Sequence, residues 1–134
     1  MTNFFKLYLI SFPTLLIVDA FWLGVIAPKF YKSHIGFLMS ETPNLVAALM
    51  FYLLYIVGLI VFVIQPGLDK NSLLNVSLMG ALFGLVCYAT YDLTNLATVK
   101  NWPVIVTVVD LIWGTVLSAT ISGVVYTIAS KLHL

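Results

Sequence analysis

Four long apolar runs divide the chain, over residues 4–27, 44–64, 72–97 and 103–130. Each reaches the roughly 20 residues that an α-helix needs to cross the hydrocarbon of a bilayer. The breaks between them hold the polar and turn-forming residues: Pro28 with Lys29 and Lys32, the "QPG" of Gln65–Gly67, and "KNWP" from Lys100 to Pro103. Pro43 is pre-set for a helix start, and the "QPG" reads as a stop. The pattern predicts an all-α fold: an integral membrane bundle of four transmembrane helices, with residues 1–134 as a single domain. Only the first connection is long, and residues 28–42 are expected to hold a short interfacial helix.

Composition agrees with the pattern. Of 134 residues 62% are hydrophobic and 8% charged, with a mean hydropathy of +1.10. Soluble domains carry about 25% charged residues, so this chain lacks the polar surface to face water all round, and the lipid bilayer is its expected partner. A net charge of +1 from scattered lysines, with no arginine, excludes nucleic acid as a partner. The single Cys87 lies in an apolar run and reads as a small packing residue. Asp19 interrupts the first run and Pro28 follows its small-residue exit, which disfavours a cleaved leader and predicts a retained span. Lys6, Lys70 and Lys131 fall on one face of a four-span topology and Lys29, Lys32 and Lys100 on the other, a tie that gives no orientation. Cytoplasmic termini are expected only from the habit of short bacterial bundles.

Polar residues inside the runs carry the candidate chemistry. Glu41 and Asp69 fall in loops, whereas Asp19, Asp92 and Asp110 fall within spans. At 1.5 Å per residue, Asp19 is about 12 Å, Asp110 about 10 Å and Asp92 about 6–8 Å from the ends that meet loops one and three. Those loops share one side of the membrane, so three helices are expected to bring an acid to similar depth. Helical spacing puts Trp22 on the stripe of Asp19, Tyr88 and Asn95 on that of Asp92 with Tyr91 at its edge, and Trp113 on that of Asp110. The second span has no charge, but its stripe carries Tyr52 at matching depth. The "DAFW" at 19–22 is echoed by "DLIW" at 110–113.

An aspartate at the centre of a membrane helix costs about 2.5–3.5 kcal/mol on insertion scales. The three are therefore expected to face the bundle interior, where no lysine accompanies them. Either they are carried as neutral acids bonded to tyrosine, asparagine or backbone, or the pocket holds a cation: a proton, a metal ion, or an organic amine over aromatic faces. The leading expectation is an acidic, aromatic-walled pocket for a small cationic or amphipathic ligand. Its residues are Asp19, Trp22, Tyr52, Tyr88, Tyr91, Asp92, Asn95, Asp110 and Trp113. A metal, if one binds, is expected on Asp19, Asp92 and Asp110, and carboxylates alone suit magnesium, calcium or manganese. Three alternatives stand beside it: a small dimeric cation or proton-coupled transporter, a lipid-modifying membrane enzyme, and an accessory subunit whose acids are structural. No hydrolase triad has support in the spans and no cofactor motif appears, so enzyme activity and cofactor stay unassigned. His34 and His133 lie outside the spans, and Trp102 reads as an interfacial anchor. "GALFG" at 80–84 and the small residues Thr115, Ala119 and Gly123 read as close helix packing.

"IVDAFWLG" (17–24), "FYLLYIVGLIVFVIQP" (51–66), "YATYDLTNLATVKNWP" (88–103) and "VDLIWGT" (109–115) together resemble a bacterial family of small membrane proteins, domain of unknown function 2177. The likeness covers nearly the whole chain, and "YDLTNLAT" followed by "W-P" is its most specific part. It implies a multi-pass protein of the bacterial inner membrane with no activity attached. Members are similar to products of genes near light- and oxidative-stress or modified fatty acid genes, which implies a membrane-lipid role in loose terms.

Overall fold

The computed structural model describes residues 3–134, and every regular element in them is helical. Four helices are long and apolar enough to cross a membrane: α1 (Phe4–Leu38), α2 (Leu45–Lys70), α3 (Leu73–Thr98) and α4 (Val104–Lys131). The fold is an all-α membrane bundle.

Two of these helices run on past the prolines at which the sequence reading closes them. The residues before each proline widen into a π-turn, Trp22–Ile26 ahead of Pro28 and Ile60–Ile64 ahead of Pro66. A proline in a helix lacks an N–H and drives its ring into the carbonyl four residues back. Widening the preceding turn moves that carbonyl aside, one of the adjustments by which membrane helices accommodate proline. Residues 27–35 consequently prolong α1 in place of a separate interfacial helix, and a 3-10 turn at Gly36–Leu38 ends it.

The turns follow local chemistry. Asn44 caps α2 by accepting the Ala47 N–H at 3.1 Å, and Ser72 caps α3 by accepting that of Asn75 at 3.1 Å. Between α2 and α3, Asn71 takes a left-handed conformation at φ 51° and accepts a hydrogen bond from the Tyr126 hydroxyl on α4 at 3.2 Å. Left-handed backbone suits asparagine better than most residues.

α3 and α4 form the most extensive pairing in the bundle, and α1 also packs along α4. Small residues allow the first contact. A Cβ added at Gly84 would fall on the Gly114 carbonyl and Ser118, and one at Gly80 would lie 2.9 Å from the Ser122 Cβ. The close seam on α4 thus runs through Gly114, Ser118 and Ser122. The stripe one residue along, Thr115, Ala119 and Gly123, is half-buried, and a Cβ at Gly123 would find only ordinary contacts at 3.7–3.8 Å. Below the polar region Leu7, Leu15, Ile56, Leu59, Ile60, Val76, Leu117, Ile121 and Val125 fill an apolar core. Exposed Ile17, Leu54, Leu74 and Ile112 face outward, where lipid replaces water as the solvent.

Candidate functional site

The polar half of the bundle is organised by hydroxyl-to-carboxyl bonds between helices. The Tyr52 hydroxyl of α2 donates to Asp19 on α1, and the Tyr31 hydroxyl, in the prolonged part of α1, donates to Asp110 on α4. A third bond joins Tyr55 on α2 to Ser118 on α4. Asp19, Asp92 and Asp110 are all buried, at 6%, 0% and 5% exposure.

Around Asp19 lies a hollow of about 210 Å³ walled by Trp22, Tyr31, Tyr52, Tyr88 and Trp113, with Leu23, Ala48 and Phe51 also lining it. The indoles of Trp22 and Trp113 stack at 4.5 Å with their planes 10° apart. The echoed acid-and-indole pairs of α1 and α4 therefore meet through their indoles. Their acids go to different partners. Leu23 and Phe51 are about half exposed, at 51% and 48%, so the hollow opens at the surface between α1 and α2.

A second hollow of about 310 Å³ adjoins the first, sharing Tyr31 and Tyr88 as its partition. Ile35, Met39, Tyr91, Trp102 and Asp110 complete its wall. Asp92 lines neither hollow. It lies at the α3–α4 seam beside Asp110, and its two carboxyl oxygens are buried without a hydrogen-bond partner. Its main chain is braced: Trp102 Nε1 donates to Thr107 Oγ1 at 3.1 Å, and that hydroxyl donates to the Asp92 carbonyl oxygen at 3.3 Å.

The structure thus gathers Asp19, Trp22, Tyr52, Tyr88 and Trp113 around one space, and Tyr88, Tyr91 and Asp110 around its neighbour. Asn95 is half-buried and lines neither. The three carboxyls do not enclose a common point. Among the described residues no three Asp, Glu, His or Cys side chains gather as a metal-binding group, so the expected metal set of Asp19, Asp92 and Asp110 is not assembled. The physical reason is that Tyr52 holds Asp19 toward α2 while Tyr31 and the α3–α4 seam hold the other two.

Residues 4–127 match the family of predicted membrane proteins denoted DUF2177. The chain belongs to this family. No curated protein and no solved structure is significantly similar to this DUF2177 member. The family name carries a membrane location and no activity, so the chemistry rests on the site itself.

Three residues of the site escaped the sequence reading. Tyr31 falls in the connection over 28–42, outside the first span as the sequence bounds it, and carries no signal of its own there. Phe51 is the neighbour of Tyr52 on the lipid side, and its ring stacks on Tyr55 at 5.7 Å. Trp102, read as a headgroup anchor, is buried at 8% exposure and meets Tyr91 edge-on at 5.8 Å. Its N–H requires a partner when buried, and Thr107, five residues on, was the available signal. His34 stays outside both hollows, with its Nδ1 2.8 Å from the Phe30 carbonyl oxygen.

Proposed function

We propose that this DUF2177 protein binds the cationic head of a small amphiphile in the Asp19 hollow, with the ligand's chain left in the bilayer. The observation that carries the reading is Asp19 standing in an aromatic hollow that opens at the surface between α1 and α2, beside the stacked Trp22 and Trp113. A cation over such faces gains about 0.5–2 kcal/mol by cation–π attraction, most where water is excluded. The Asp19 carboxylate supplies the charge opposite to the ligand's, and no lysine lines the hollow to neutralise it. Pockets for whole drug-sized ligands run from about 300 Å³ upward. A hollow of about 210 Å³ suits a head group in preference to a complete ligand. The bilayer concerned is the bacterial inner membrane implied by the family resemblance.

Hexyltrimethylammonium is a suitable probe, because it stays monomeric where longer amphiphiles form micelles. It should raise the thermal unfolding temperature and quench tryptophan emission saturably. Asp19→Asn should weaken both responses at least about tenfold, equivalent to roughly 1.4 kcal/mol. Hexyl sulfate should give neither. Equal responses in the wild type and Asp19→Asn would defeat the proposal.

A further inference from the structure

Asp92 and Asp110 ask for something the Asp19 hollow does not supply. Asp92 is wholly buried at 0% exposure, and neither of its carboxyl oxygens meets a donor. Asp110 adjoins it across the α3–α4 seam and receives one hydrogen bond, from Tyr31. Among the described residues, the titratable groups facing the pair are Tyr31 from α1 and Tyr88 and Tyr91 from α3. α2 offers Tyr52 and Tyr55, but these bond Asp19 and Ser118. No lysine or histidine lines either hollow. Two adjoining carboxyls in a low-dielectric setting without a basic partner cannot both be ionised.

We infer that Asp92 and Asp110 form a proton-binding pair, loaded through the hollow that Tyr31, Tyr91 and Trp102 wall. The size of the available space selects the ligand. The hollow of about 310 Å³ reaches Asp110, but Asp92 stands behind its wall, at a place no hydrated ion or organic cation can reach. A proton needs no cavity. Access is from the loop end, where Ile35 and Met39 at the end of α1 and Trp102 in the α3–α4 connection line the hollow. Met39 is 48% exposed there. A hydronium ion at that end gives its proton to the Asp110 carboxylate, leaving water. The proton is then shared between Asp110 and Asp92, and release runs the same steps backward, with no electron transfer. Thr107 and Trp102 fix the Asp92 main chain, which keeps the donor–acceptor geometry of the pair constant. Ionisable residues inside membrane spans mark proton relays in pumps and transporters. The inference stands whether or not the Asp19 hollow takes a cation.

Infrared spectroscopy of the Asp19→Asn protein in lipid vesicles tests it, with the remaining intramembrane acid removed. A protonated-carboxyl C=O band should be present at neutral pH, move to lower frequency in D2O, disappear as the medium is made alkaline, and vanish on adding Asp92→Asn. A band absent at every pH, or unchanged by Asp92→Asn, overturns the pair. Because a variant can misfold, the wild-type protein supplies a second measurement. Dicyclohexylcarbodiimide, which is lipid-soluble and adds to protonated carboxyls, should leave an adduct on the peptide bearing Asp110, in a yield that falls as pH rises. Native circular dichroism with no adduct on that peptide at any pH overturns the inference equally.

Discussion

Trp22 and Trp113 lie face to face at 4.5 Å, and this stack joins α1 to α4 where the carboxyls of their own helices part company. Asp19 turns to Tyr52 on α2, whereas Asp110 turns to Tyr31 on α1, the helix that its own neighbouring indole touches. The stack walls the Asp19 hollow, and Tyr31, which meets Trp22 edge-on at 6.3 Å, lines both spaces.

Two indoles this close and nearly parallel couple their electronic transitions. The wild-type protein should show an exciton couplet in its ultraviolet circular dichroism. Trp22→Ala and Trp113→Ala should each remove it. Loss of Trp22, which is 8% exposed, should also cost about 3–5 kcal/mol of stability. A couplet that persists in either variant would mean the rings are not stacked.

The α3–α4 seam predicts a contrast between two glycines on one scale. Gly84→Ala forces a Cβ onto the Gly114 carbonyl and Ser118, an overpacking worth about 1–3 kcal/mol. Gly123→Ala meets only Ser77 and Leu73 at ordinary distance, and gains helix propensity of up to about 1 kcal/mol. Unfolding titrations in mixed micelles should therefore show Gly84→Ala destabilised and Gly123→Ala unchanged or more stable. The reverse order would place the seam on the wrong stripe.

The Tyr31–Asp110 bond crosses from α1 to α4 and can be measured as a coupling. Interhelical hydrogen bonds in membrane proteins average about 0.6 kcal/mol and reach about 1.7. A double-mutant cycle of Tyr31→Phe and Asp110→Asn should fall in that range, toward its upper end because the acceptor is a carboxyl. Additive effects of the two changes would show that Tyr31 does not reach Asp110.

Trp102 separates an interfacial anchor from a buried brace. As a brace, Trp102→Phe keeps the ring against Tyr91 but deprives Thr107 of its donor, at a cost of about 0.5–1.5 kcal/mol. Emission from Trp102 should also resist quenching by aqueous iodide in a protein whose other tryptophans are replaced. Ready quenching with unchanged stability would return Trp102 to the headgroup layer.

The sequence by itself determined the class, the environment and the helices. Length and hydropathy sufficed, because a chain with 8% charged residues can satisfy its backbone in lipid only by forming helices from its apolar runs. It also picked out the acids and most of the aromatic walls, because helical spacing decides which residues share a face. Tertiary structure alone decided how those faces meet. One π-turn is the clearest case. Tyr31 lies twelve positions after Asp19, which in a regular helix would put it about 120° around the axis. The turn at Trp22–Ile26 absorbs one residue and brings Tyr31 back toward the interior, within reach of Asp110. Similar depth made a common chamber for three aspartates plausible from the sequence. Which helix approaches which, set by glycine and serine contacts along α3 and α4, instead seats Asp92 and Asp110 at one seam and leaves Asp19 with α2. Spacing along a chain fixes the direction of a side chain on its own helix, whereas the partner it finds depends on packing between helices.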